Sequence, residues 1–183
     1  MAQANKVCPH CKELGHSGFY CPKKPVKPIK SRSKPLKAIK TVSKAKKKLA
    51  PSRSKLVKEL DAIYSQYVRL DQSDQYGYCI CVTSGVRMFW TEAQNGHFFS
   101  RRFYPTRWND DNCHPQSMRD NVFLKGNYIN YTRYMIDSYG RKFVDDLEKL
   151  AHTTIKIKNA ELIEKIEHYK KEVKRLKLEK GLV

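Results

Sequence analysis

The segment Asn95–Asn121, NGHFFSRRFYPTRWNDDNCHPQSMRDN, is dense in groups suited to phosphate chemistry. His97 is a proton acceptor near neutral pH. Asn112 and Asn121 carry side-chain amides, and Arg101, Arg102, Arg107 and Arg119 are fixed cations. Gly96 precedes the histidine, and Pro105 and Pro115 punctuate the segment. Groups of these types can act together on a phosphate ester: a neutral imidazole can take a proton from water, and fixed cations can hold the phosphate.

These groups need a frame. TEAQNGHFFS reads as a strand, a basic loop runs through Asp111, and NCHPQ turns into a helix near 116–124. On an extended strand Asn95, His97 and Phe99 share one face, and Glu92, Gln94 and Gly96 the other. Phe98 and Phe99 read as core groups. Upstream, Leu56, Leu60, Ile63, Tyr67 and Leu70 recur at three and four, which predicts an amphipathic helix over 55–70. YCICV and VRMFW flank Thr83-Ser84-Gly85 as a hairpin. Downstream, a second helix carries Tyr128, Tyr131, Tyr134 and Met135 on its core side and stops at Gly140. RKFVDDLEKLAH is a third. Leu162, Ile166, Tyr169, Val173 and Leu176 form a heptad seam of two repeats, short for a free coiled coil. It packs back on the domain or pairs with a second chain as a homodimer.

The 183 residues hold one ordinary domain plus appendages, with a formal net charge of +19. Fifteen Lys or Arg and no acid lie between Pro22 and Lys58, leaving about +4 for the rest. That distribution implies a polyanion partner. No stretch approaches the roughly 18 apolar residues of a membrane span, and MAQANKVCPHC lacks the apolar core of a signal peptide. The expectation is an intracellular, cytoplasmic protein, in the host cytoplasm if phage-encoded. Six cysteines in such a chain read as metal ligands or buried thiols.

Cys8, Cys11, His16 and Cys21 stand at the C-x2-C-x4-H-x4-C spacing of the retroviral-type zinc knuckle, which this stretch resembles. Three thiolates and an imidazole close a tetrahedral Zn2+ site able to fold a segment too short for a core. Such knuckles grip single-stranded nucleic acid by stacking bases on aromatics, for which Phe19 and Tyr20 are available. A purely structural clip is the alternative. Residues 23–53 form a Lys/Pro/Ser linker whose charge repulsion favours disorder and extension, suited to salt-sensitive, sequence-blind attachment.

The order of the blocks KLVKELDAIYSQYVRL, GYCICVTSG, QNGHFFSRR, NCHPQSMRDN, FLKGN and YMIDSYGRKFVDDLEKL over roughly 55–150 resembles the NinG (Rap) family of phage recombination endonucleases, and the His…Asn…Asn spacing resembles an HNH nuclease finger. The resemblance implies cleavage of branched DNA of the Holliday-junction class. It makes His97 the general base, Asn112 the amide that braces the loop and orients the histidine, and Asn121 a ligand of a catalytic Mg2+ or Mn2+. Asn95, Gln94 or Asp111 would supply the other ligand. Arg101, Arg102, Arg107 and Arg119 are the DNA contacts. Relatives typically hold a structural zinc with two C-x2-C pairs; here the four positions are Cys81, Ser84, Ser117 and Asp120. No zinc is expected there, and Phe89, Trp90 and Phe123 would have to hold the finger by packing.

The sequence therefore reads as an α+β protein: a CCHC zinc knuckle over 6–22, a basic disordered linker over 23–53, a small ββα-metal, HNH-like nuclease domain with flanking helices over 54–152, and a C-terminal amphipathic helix over 153–183. Its expected function is metal-dependent, structure-specific DNA cleavage. The rival is a non-catalytic nucleic-acid-binding or annealing protein using the knuckle and basic arm. Joint retention of His97, Asn112 and Asn121 favours the enzyme.

Overall fold

Leu56, Leu60, Tyr64 and Val68 stand one turn apart and are buried along one side of helix α1 (Arg53–Asp71). The expected stripe is thus rotated slightly, with Ile63 and Tyr67 half-buried beside it. The computed structural model describes residues 51–182, which fall in one compact unit. The zinc-knuckle ligands and most of the basic linker lie outside the described residues.

Strands β1 (Tyr78–Ile80) and β2 (Arg87–Phe89) pair antiparallel with Tyr78 opposite Phe89. Gly85 turns the hairpin at φ +71°, in the left-handed region that glycine enters without strain. Strand β3 (Gln94–His97) then leads to a single turn, α2 (Tyr104–Arg107), and a 3-10 turn at Asp110–Asn112. Strand β4 (Cys113–Gln116) returns antiparallel to β3, with His97 opposite Cys113. The two small sheets meet where the Val82 amide donates to the Pro115 carbonyl at 3.1 Å.

The helix expected near 116–124 is much shorter. Pairing with β3 keeps the chain extended through Gln116, and only a five-residue π-type turn, Arg119–Phe123, follows. Helix α3 (Tyr128–Tyr139) ends at Gly140, φ +84°, and α4 (Arg141–Ala151) begins directly after it. Tyr131 and Met135 of α3 bury against Phe98, Val144 and Leu147. Tyr128, expected on the core side, is 55% exposed, because it sits at the first position of the helix and reaches only the edge of that cluster.

Helix α5 (Asn159–Glu179) buries all five residues of the heptad seam. Leu162, Ile166 and Tyr169 pack on Leu56, Leu60 and Tyr64 of α1, with the Tyr64 and Tyr169 rings edge to face at 4.9 Å. Val173 and Leu176 cover Leu70 and the first hairpin. Of the two uses open to the seam, the chain makes the internal one, so the face considered for a homodimer is covered by α1. Residues 159–179 lie in the same compact unit as α1. Both ends of α1 are clasped from this region: Arg53 Nη1 donates to the Ile157 carbonyl at 2.6 Å, and Lys180 Nζ donates to the carbonyls of Leu70 at 2.5 Å and Ser73 at 2.7 Å. A cation on the last carbonyls of a helix satisfies orphan acceptors and complements the helix dipole. Helices with short antiparallel strands make the fold α+β. Among the described residues no helix is long and apolar enough to cross a membrane.

Candidate active site

Strand alternation places Asn95 and His97 on one cavity wall, opposite α1. The cavity, about 300 Å³, is lined by Lys58, Asp61, Tyr64, Asn95, His97 and Arg101. Nε2 of His97 lies 3.1 Å from the Arg107 carbonyl, and Nδ1 lies 3.3 Å from the Asn95 carbonyl. A neutral imidazole has a single N–H. Assigning it to the shorter contact makes Nε2–H the donor to Arg107 and leaves Nδ1 as the basic nitrogen. Burial first, and then the Arg101 cation, push the imidazole down to about 4, well below the unperturbed value near 6.5 on which the sequence reading rested. The ring is therefore neutral at pH 7 and a weaker base than a free one.

Asn95 Oδ1 is buried and without a hydrogen-bond partner among the described residues. An orphaned buried carbonyl oxygen calls for an explanation, and this one belongs to a residue on the cavity wall. Asp61, which periodicity placed merely on a packing helix, reaches the same cavity. Its carboxylate accepts from Arg107 Nε (3.0 Å), Arg107 Nη2 (2.5 Å) and Trp108 Nε1 (2.9 Å). That occupies three of the roughly four acceptor positions of a carboxylate. Arg107, a candidate phosphate contact, is thus engaged by Asp61, whereas Arg101, Arg102 and Arg119 are exposed.

Asn112 is fully buried and braces the loop between β3 and β4. Its Oδ1 accepts from the Phe99 amide at 2.7 Å, and its Nδ2 donates to the carbonyls of Phe99 (3.0 Å) and Thr106 (2.9 Å). A Cβ at Gly96 would lie 2.2 Å from Gln116 Oε1, so a larger residue directly before His97 would have to displace the buried Gln116 side chain. Asn121 lies in the π-type turn, and neither of the two cavities bordered by His97 is lined by it. His114 is buried between the hydroxyls of Tyr131 (2.9 Å) and Tyr139 (3.0 Å), and burial lowers its pKa to about 4.

Asn95 and Asp61 are oxygen donors, the type a hard cation prefers. Among the described residues no three His, Cys, Asp or Glu side chains converge on a metal position. The donor set therefore suits an ion of the Mg2+ class, which keeps several waters and takes phosphate oxygens, and does not suit a closed zinc site.

Cys81, Ser84, Ser117 and Asp120, the four positions to which the resemblance points for a zinc site, do converge. Cys81 Sγ and Thr83 Oγ1 lie 3.2 Å and 2.7 Å from Asp120 Oδ2, the Ser117 amide donates to Cys81 Sγ at 3.2 Å, and the Asp120 amide donates to Ser117 Oγ at 3.1 Å. Burial alone would raise the Asp120 carboxyl, but hydrogen bonds from Thr83, Ser84 and Cys81 outweigh it and hold the group below the ordinary carboxylate range. The packing role expected of Phe123 is not fulfilled, since that ring is 73% exposed. A buried polar cluster joins the hairpin to the turn after β4. It also anchors the loop that follows. Gly126 N donates to the Asp120 carbonyl (2.8 Å) and Gln116 Nε2 to the Gly126 carbonyl (2.9 Å), holding Lys125, Gly126 and Asn127 all at positive φ.

The NinG family model, described as Bacteriophage Lambda NinG protein, matches residues 3–179. The chain belongs to the NinG family, a family of phage recombination-related proteins. No curated protein and no solved structure matches it.

Proposed function

We propose that the chain is a metal-dependent endonuclease acting on branched DNA. The observation that carries this reading is the cavity lined by His97, Lys58, Arg101 and Asn95, whose buried Oδ1 has no hydrogen-bond partner among the described residues. In this reading Lys58 and Arg101 hold a backbone phosphate. His97, its ring oriented through Nε2, accepts on Nδ1 a proton from the water whose oxygen attacks phosphorus. The P–O bond opposite breaks and the departing oxygen takes a proton from solvent. A bound Mg2+ or Mn2+, held by Asn95 and the remaining acceptor position of Asp61, would supply charge neutralisation at the phosphate. Zinc in the Cys8, Cys11, His16 and Cys21 knuckle would be structural and would add a grip on nucleic acid.

One observation favours the rival reading, a non-catalytic binding or annealing protein: a histidine pushed down to about 4 is a poor proton acceptor. The test is incubation of a labelled four-way junction and a matched linear duplex with the protein, with and without Mg2+ or Mn2+. Metal-dependent cutting of the junction that His97→Ala lowers by about a hundredfold, the scale of a positioned base, supports the nuclease. Binding without cutting under any divalent ion supports the rival.

A further inference from the structure

His97 is a partition between two cavities. On the side away from α1 lies a second one of about 390 Å³, within the size range of ligand pockets. Its walls include the rings of Phe99, Phe103 and Tyr128, and its polar groups include Arg102, Lys125 and His152. Tyr128 stacks on Phe98 with ring planes 4° apart and centroids 5.2 Å apart, which fixes its orientation while leaving it 55% exposed. Arg102 lies 4.6 Å over the Phe103 ring and makes no ion pair among the described residues. Lys125 is brought to the rim by the left-handed loop that Asp120 and Gln116 anchor. Such backbone strain persists only where the surroundings enforce it.

We propose that this second cavity takes one unpaired nucleotide of the DNA substrate, its base against the aromatic walls and its phosphate toward Arg102 and Lys125. Aromatic faces beside unpaired cations are the chemistry that recognises a base joined to a phosphate, and stacking is indifferent to which base it is. A base inside a duplex cannot enter a recess without leaving its stack, and one at a branch point or gap has already left it. The shared His97 wall places this nucleotide next to the phosphate in the first cavity. Branch preference would then follow from the cost of unstacking, with no sequence readout. The inference rests on the nuclease reading for its substrate.

The experiment uses the full chain without divalent ions, so that binding is read apart from cleavage. Two junctions are compared, alike except that one carries a single unpaired 2-aminopurine nucleotide at the branch. Wild type is expected to quench the 2-aminopurine fluorescence and to prefer that junction over the fully paired one. Tyr128→Ala should reduce the preference by about tenfold, the scale of one lost base stack, and Arg102→Ala should reduce it by removing the cation that faces the nucleotide's phosphate. Both positions are exposed, so circular dichroism should be unchanged. Tyr128→Phe keeps the ring and should keep the signal. Quenching and preference equal to wild type in both alanine variants would overturn the inference. If wild type cuts junctions and these variants lose nothing, the pocket alone is wrong. If the signal responds to them and nothing is cut with Mg2+ or Mn2+, the nuclease reading alone is wrong.

Discussion

Asp61 and Arg107 form a two-pronged ion pair, Nε to Oδ1 at 3.0 Å and Nη2 to Oδ2 at 2.5 Å. The same arginine offers its main-chain carbonyl to His97 Nε2 at 3.1 Å. A carboxylate on α1 thus sets the loop residue that orients the imidazole. Asp61→Ala leaves a largely buried guanidinium unpaired and is expected to destabilise the fold by about 2 kcal/mol, below the full cost of breaking a buried pair because both side chains keep some solvent contact. Junction cleavage should fall by roughly a hundredfold or more, through misplacement of the ring and loss of an oxygen proposed to hold the metal, while junction affinity changes little. Urea unfolding and single-turnover cleavage measured on one preparation test both halves.

The pH dependence follows from the two lowered histidines. Their neutral forms are favoured by folding, with pKa values of about 4 for His97 and His114 against roughly 6.5 unfolded. Between these values the unfolded chain binds more protons, so stability is complete above about pH 6.5 and declines as pH falls toward 4. Denaturation midpoints should be lower at pH 5 than at pH 7.5, and His114→Gln should flatten that dependence. Cleavage that depends on His97 as a base should be level from pH 6 to 8. A rate that halves near pH 6.5 would contradict the buried environment of the ring.

The two candidate metal-binding asparagines can be separated. Asn95 lines the cavity that holds His97, and Asn121 does not. Asn95→Ala should therefore raise the Mg2+ concentration needed for half-maximal cleavage by about tenfold or more, the scale of a weakened metal site. Asn95→Asp should lower it by adding charge to the ligand. Asn121→Ala is expected to leave it unchanged. The reverse ranking would move the metal site to the turn after β4.

Cys81, Ser84, Ser117 and Asp120 are joined by hydrogen bonds. Changing Ser84, Ser117 and Asp120 together to cysteine presents four thiolates, the ligand set of a closed structural zinc site. The triple variant should contain one zinc per chain more than wild type and should lose stability on treatment with a chelator. Equal zinc content in the two proteins would show that the four positions are not placed for tetrahedral ligation.

Local pattern made much of this legible. The spacing of Leu56 and Leu60, and of Leu162, Ile166 and Tyr169, specifies two amphipathic helices, because burial on one helical face is a property of neighbours three and four apart. Strand alternation likewise puts Asn95 and His97 on one wall. What the sequence conceals are partners distant in the chain. Asp61 meets Arg107 across 46 positions, and on its own helix it is simply a polar residue beside a core stripe. The end of the finger misleads because Gln116–Phe123 carries a helix-compatible composition, while its first residue is held extended by Gln94 on another strand. The π-type turn that remains is a product of tertiary pairing, which overrides local propensity.

The clasp on α1 has a consequence for the order in which the domain can be made. Arg53 and Ile157 are 104 positions apart, and Lys180 reaches back 110 positions to Leu70. As the chain leaves the ribosome, α1 emerges before the residues that cover it, and the cover that Leu162, Ile166 and Tyr169 give Leu56, Leu60 and Tyr64 arrives only with α5. Lys58 and Asp61 ride on that helix, so one wall of the cavity beside His97 lacks its full support until then. A nascent chain stalled before residue 159 should be readily digested by protease at α1, and one released after residue 182 should resist. Synthesis itself thus leaves α1 without its clasp until α5 has been made.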